Sequence, residues 1–325
     1  MEDMMIKTVE DLENFEEEFI EQGRRGIIKL AVPVLNINEW FAAKPSYYAL
    51  LLGMTDQQLE RIVYYASPVV AESNLDAFQA GQILDAKEFA EYEKLSEEDK
   101  AKVRILQGAE AVEFLISSID LKAKRAEARE TEISCMQELE RLWARYDEMG
   151  GDDILHNLDN RILSAEPDEN GEVNLEMTDE EAAVDEVKAA IQAARTKLEE
   201  ARCILTAVAR IRTNGLQNLI VKEITLFPVD MKGIMRHAHR EMPYATYDIK
   251  RQYMRVINRN ERVGKLISIG APEIILRNEK RMLQEYVDCL IHNGARGLPY
   301  MVERNDERCP AASLTDLLLR NTKLV

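Results

Sequence analysis

Cysteine and histidine, the side chains most often recruited for nucleophilic and metal chemistry, are few and scattered in this sequence. Cys135, Cys203, Cys289 and Cys309 form no CxxC pair, so neither a zinc ribbon nor a disulfide framework is indicated and buried or free thiols are expected. His237 and His239 stand two apart and could share a metal in an extended loop, but no nearby third His or Cys completes a ligand set. His156 and His292 are isolated, without a nucleophile and base pattern. Glu166, Asp168, Asn170, Gly171 and Glu172 place a glycine sixth, as in a calcium loop. The twelfth position, however, which needs a bidentate Glu, is Met177, and the first is Glu instead of Asp. A solvated loop is expected there. No constellation supports autonomous catalysis, and neither metal nor cofactor is expected in this chain.

Charge is more informative. The 325 residues carry a formal net charge of −17, which argues against a free-standing nucleic-acid binder, because neutralising phosphates needs clustered Lys and Arg. The average hides an asymmetry. From Asp147 to Glu186 there are fifteen acidic residues against one base, Arg161, whereas from Tyr244 to Gly297 ten bases outnumber six acids, a local +4. The second stretch is a basic projection on an acidic chain.

Its apolar pattern says what carries those bases. Ile249, Tyr253, Val256, Asn260, Val263 and Ile267 fall at steps of four and three, the heptad seam of a coiled coil with one polar position, Asn260. After Ile269-Gly270-Ala271-Pro272, the residues Leu276, Glu279, Leu283, Tyr286 and Leu290 repeat the spacing. Ile275, Met282 and Val287 widen the stripe so that it can also touch a body below. Gly270 supplies a left-handed cap and Pro272 cannot continue the first helix, which predicts an antiparallel helical hairpin over 244–297. On periodicity alone, its charges are most simply solvated flanks.

The remaining elements follow from patterning. An amphipathic acidic helix is predicted through about Gln22, then a strand from Ile27 to Val34 with Pro33 near its end. Residues 45–71 predict two helices, the second opened by a capping box of Thr55 and Gln58. Ala86 to Glu148 reads as mostly helical, with an apolar face of Val112, Leu115, Ile116 and Ile119 and alternating charges from Leu121 onward. Residues 149–182, broken by Gly150-Gly151, Pro167 and Asn170-Gly171, are expected to be an acidic, partly disordered excursion. Helix then resumes from about Glu180 to Arg212. Leu219 to Val229 predicts a second strand, 230–243 a surface loop, Gly294 to Pro310 a polar loop and Ser313 to Arg320 a last helix. No apolar run approaches a membrane span, and the acidic N-terminus is the opposite of a signal peptide, so a cytoplasmic location is expected.

The hairpin string RVINRNERVGKLISIGAPEIILRNEKRMLQEYVDCLIHNGARG, residues 255–297, resembles the clamp-helix coiled coil of the bacterial RNA polymerase largest subunit, beta-prime. The preceding ATYDI at 245–249 matches that family's ATSDL. GIIKLAVPVLNINEWF at 26–41, LLLGMTDQQLERIVYYASPVV at 50–70, GAEAVEFLISSIDL at 108–121 and ASLTDLLLRN at 312–321 also resemble family segments, in the family's order. Departures accompany them. The family's N-terminal zinc ribbon, its basic switch segment and its NADFDGD motif, whose aspartates hold the catalytic magnesium, are not present. The loop DMKGIMRHAHREM replaces its lid, and Gln217, Asn218, Leu219 and Ile220 replace a Pro-Glu-Trp-Met motif.

The resemblance implies a mainly α-helical clamp-like module with a small β component and a protruding coiled-coil hairpin. Its segments would be an N-terminal acidic helix over 1–25, clamp core over 26–148, an acidic insertion over 149–182, and helix, strand and lid-like loop over 183–243. The hairpin at 244–297 and a rudder-like loop with C-terminal helix at 298–325 would follow. The family's coiled coil docks sigma factor. The matching positions are Arg259, Arg262, Lys265, Arg277, Asn278, Glu279, Arg281 and Gln284, with Tyr286 where the family usually has a small alanine and so expected to crowd that contact. His237, His239, Arg240, Arg296, Arg304 and Arg308 would meet DNA or an RNA–DNA hybrid only within an assembled polymerase containing the other subunits. The implied function is a clamp segment of a DNA-directed RNA polymerase acting in transcription initiation, with nucleotidyl transfer and its magnesium residing elsewhere. The alternative is a stand-alone helical sigma-binding regulator or decoy.

Overall fold

The computed structural model describes residues 3–18, 25–164, 178–226, 245–297, 302–303 and 306–321. The chain is mainly helical with a small β component, and it divides into two compact units, residues 1–119 with 210–325, and residues 120–209. In the first unit, β1 (Met4–Met5), α1 (Val9–Glu18) and β2 (Gly26–Leu35) lead into α2 (Ile37–Trp40), α3 (Tyr47–Leu52) and α4 (Asp56–Val63). Next come β3 (Val69–Ser73), α5 (Ala86–Glu93), α6 (Glu97–Lys100), β4 (Val103–Leu106) and α7 (Gly108–Ser117). The second unit holds α8 (Leu121–Glu148), α9 (Gly151–Ser164) and most of α10 (Asp179–Asn214). The chain then returns to the first unit through β5 (Ile220–Thr225), α11 (Ala245–Ser268), α12 (Glu273–His292), β6 (Val302–Glu303), β7 (Asp306–Pro310) and α13 (Leu314–Asn321).

The first unit is organised on β2. Ile28, Leu30, Val32 and Val34 are buried while Lys29 and Ala31 are exposed, the period of two expected of a strand with one face on a core. β1 pairs parallel on one side and β5 antiparallel on the other. Between the pairs Lys29 with Glu223 and Val34 with Val221 the register slips, and Pro33, which has no N–H to give the ladder, lies in the slip. The buried face of β2 shares one core with Ile249, Tyr253, Val256, Val263, Leu283, Val287 and Leu290. The heptad stripe of the hairpin therefore packs on the sheet as well as along its own seam.

Three expectations are corrected. The apolar run at the end of 45–71 is strand β3, paired antiparallel with β4 inside the block read as helical. Val69, Val70 and Ala71 are buried, and a run this short reads equally as strand or helix until its partner, more than 30 residues on, is known. The loop from Gly294 to Pro310 contains the β6–β7 ladder. Residues 151–164 of the acidic excursion are the helix α9, whose Ile154 and Leu155 pack on Tyr146, Val184 and Val187. The boundaries at 148/149 and 182/183 accordingly fall inside one compact unit. The calcium-like stretch, Glu166 to Met177, lies outside the described residues.

Candidate functional site

The hairpin turn is set by its backbone. Gly270 has φ +62°, its N–H donates to the Ile267 carbonyl at 3.1 Å and the Ala271 N–H to the Leu266 carbonyl at 3.0 Å, the two bonds of a Schellman cap. Pro272 then starts the second arm, its carbonyl accepting from the Ile275 and Leu276 N–H groups.

Polar side chains fasten the lower part of both arms to the sheet. The Ile6 N–H bonds the Ile27 carbonyl at 2.8 Å, where β1 stops covering this edge of β2. Asn260 takes over: its Oδ1 accepts from the Ala31 N–H at 2.7 Å and its Nδ2 donates to the Lys29 carbonyl at 2.9 Å. Gln284 does the same for Leu35, accepting from its N–H and donating to its carbonyl, both at 2.8 Å. Each amide supplies the donor and acceptor of a missing strand. The Asp248 carboxylate accepts from the Ala312 N–H at 3.2 Å, Gln252 donates to the Ala312 carbonyl and Asn293 to that of Ala311.

One of these anchors carries an unusual acid. The Tyr64 hydroxyl donates to Asp288 Oδ2 at 2.6 Å and Gln284 Nε2 to Oδ1 at 2.8 Å. Burial pushes the Asp288 carboxyl up to about 7, with the two hydrogen bonds opposing that rise. The Arg296 guanidinium lies 4.2 Å from the centre of the Tyr64 ring and pairs with Glu60.

The nine positions expected to form one contact face separate into three groups. Glu279 and Gln284 are internal, at 5% and 0% exposure. Glu279 keeps its seam position by bridging Arg259 and Arg262, the latter at 2.9 Å, so it joins the arms instead of presenting a free carboxylate. Arg259 and Arg277 are half-buried and engaged. The Arg259 guanidinium lies over the Tyr286 ring at 5.3 Å, so this tyrosine shelters a cation of its own hairpin. Arg277 lies over Phe89 at 4.9 Å and 3.8 Å from Glu93. Arg262, Lys265, Asn278 and Arg281 are presented to solvent, the three cations with side chains 62%, 72% and 40% exposed. Beyond them Ile267, Ile269, Ile274 and Ile275 are 44–74% exposed around the turn.

His237, His239, Arg240 and Arg304 lie outside the described residues, and Arg308 falls in β7. Arg296 is held by Glu60 and Tyr64. Among the described residues no group of three or more His, Cys, Asp or Glu could hold a metal ion, and no helix is long and apolar enough to cross a membrane. Sequence reasoning missed the Asp248, Gln252 and Asp288 anchors. Their signal was available: each lies on or beside the apolar stripe, where a polar group needs a partner.

Residues 14–318 match the family model for RNA polymerase Rpb1, domain 1. The chain is 32% identical over 300 residues to the DNA-directed RNA polymerase subunit beta' of Finegoldia magna and of Caldicellulosiruptor saccharolyticus, and 31% identical over 301 residues to that of Idiomarina loihiensis. Each alignment covers 92% of this chain but 17–20% of the relative, so the chain spans about a fifth of the length of the proteins it matches.

Proposed function

Because the chain belongs to the family of RNA polymerase Rpb1, domain 1, and aligns with the N-terminal region of beta' subunits, we propose that it is a clamp segment of a DNA-directed RNA polymerase whose hairpin docks sigma factor during initiation. The observation that carries this reading is the division of labour on the hairpin. Its lower part is fixed to β2 and Ala312, while Arg262, Lys265 and Arg281 beside the exposed isoleucines form a cationic and apolar end on a rigid support. Such an end suits a partner helix that is acidic on one face and apolar on the next. Contacts with DNA or an RNA–DNA hybrid belong to the assembled enzyme, through His237, His239, Arg240, Arg296, Arg304 and Arg308, and no chemical step is assigned to this chain.

The test is capture of purified sigma by the full chain and by a variant with Arg262, Lys265 and Arg281 all changed to Gln. Loss of capture with unchanged circular dichroism is expected, and equal capture would overturn the assignment. Recovery from a cell extract of the other polymerase subunits together with the chain supports a polymerase segment. Recovery of sigma without them would favour the stand-alone regulator.

A further inference from the structure

A cavity of about 510 Å³, within the range of small-ligand pockets, opens in the first unit beside the second arm of the hairpin, which contributes Glu273 and Lys280 to it. Tyr65, Phe89 and Tyr92 form its aromatic wall, with Val32, Ile105 and Leu106 as its apolar lining. Phe89 and Tyr92 are stacked at 6.1 Å with an interplanar angle of 10°. Gln107, directly after β4, lines it at 8% exposure, and its Nε2 is buried with no hydrogen-bond partner. A buried amide donor left unpaired is unfavourable and marks a place where an acceptor is missing. Tyr65 adds a second anomaly: it holds φ +62°, a left-handed conformation that bulky residues rarely adopt, with its ring against Gly108.

The charges say what kind of group fits. Glu93, Glu97, Glu110 and Glu273 line the cavity against two lysines, Lys100 and Lys280. Lys100 is bound to Glu97 at 3.0 Å and Glu93 faces Arg277, which leaves Glu110 and Glu273 against the single cation Lys280, and both carboxylates act on the Tyr65 phenol. Burial first, and then those two carboxylates, push the Tyr65 phenol up, so it stays a neutral donor. The same aromatic wall already carries one guanidinium, that of Arg277 over Phe89.

We propose that this cavity binds an organic cation, a guanidinium or ammonium group with a carbonyl oxygen a few bonds away. The cation lies on the aromatic wall near Glu110 and Glu273, and the carbonyl accepts from the Gln107 amide, whose nitrogen is closed off from solvent in this structure and turns toward the cavity to donate. Such a group is carried by a free amino-acid derivative or by an arginine or lysine within a peptide. The test titrates the full chain, with its glutamine side-chain amides labelled for NMR, using N-acetyl-arginine methylamide, agmatine, a capped arginine tripeptide and N-acetyl-aspartate methylamide. Saturable shifts of the Gln107 amide by the arginine compounds are expected, with agmatine, which lacks the carbonyl, about tenfold weaker. Binding of the tripeptide at least as tight as that of the single residue identifies a chain-borne cation, and the reverse order a free one.

Gln107→Leu, which replaces the unpaired donor with an apolar group and so should fold, is expected to weaken binding about tenfold by isothermal titration calorimetry, used because this variant lacks the reporting amide, and Glu110→Gln with Glu273→Gln by a similar factor. Absence of saturable binding by every cation, equal binding of the aspartate compound, or unchanged affinity in Gln107→Leu would each refute the site.

Discussion

The root and the end of the hairpin are built from similar residues used in opposite ways. At the root, Asn260, Gln284, Asp248 and Gln252 spend their hydrogen bonds on the backbone of β2 and Ala312, and apolar positions such as Val256 and Leu283 are fully buried. At the end, Lys265 pairs with Glu261 on its own helix at 2.6 Å, and isoleucines of the same stripe face solvent. A continuous heptad pattern thus changes meaning along its length, according to whether a sheet lies beneath it. Polar residues over the sheet hold the fold, whereas Arg262, Lys265 and Arg281 pair with carboxylates of the hairpin itself and keep 40–72% of their side chains in solvent.

Substitutions can break this contrast in order of expected effect. Gln284→Leu strands both backbone groups of Leu35 and removes a donor to Asp288, so a loss of about 4 kcal/mol is expected by chemical denaturation. Glu279→Ala leaves Arg259 half-buried without its carboxylate, and about 3 kcal/mol is expected, with Arg262→Gln costing far less because its side chain is 62% exposed. Asn260→Ala should cost roughly 1–2 kcal/mol, since the backbone groups that it leaves are near solvent. Ile274→Ser with Ile275→Ser should change stability by no more than about 0.5 kcal/mol. The same pair should weaken sigma capture. If it lowers stability as much as Asn260→Ala does, the contrast between root and end is wrong.

A separate effect concerns pH. With the folded Asp288 carboxyl raised to about 7 and an ordinary unfolded value near 4, the folded state binds the extra proton between these limits. Its contribution is therefore fully present below about 4 and is lost as pH rises through about 7. Asp288→Asn keeps an acceptor for Gln284 and is expected to flatten this part of the stability profile. An unchanged slope would show that another group sets it.

Much of the hairpin was legible in sequence because its signals are local. The Gly270 and Pro272 turn and the seam spacing place the arms at 245–268 and 273–292, within the predicted 244–297. The strand at 27–34 likewise appears as 26–35. Strands β3 and β4 were missed because each is defined by the other, and α9 because its acidity outweighed a short apolar face. The division of the contact residues was not legible for a different reason. Helical spacing puts Glu279 on the side of Leu276 and Leu283 and turns Gln284 well away from Glu279, so it gives no sign that both are internal; their burial depends on β2, which is distant in sequence. Charge reversal at Arg259 and Arg277 would set new carboxylates beside Glu279 and Glu93 and disturb the support together with the surface.

The amides that stand in for a strand along β2 also impose a timetable. Ala31 and Asn260 are separated by 229 residues, and Leu35 and Gln284 by 249. At synthesis rates of about 5–20 residues per second, the edge of β2 waits roughly 10–50 s after leaving the ribosome before its covering helices exist. During that interval its apolar face and unpaired backbone are open to any passing strand. The nascent chain is therefore vulnerable until the hairpin has been made, and a ribosome stalled before that point would release a product prone to aggregation.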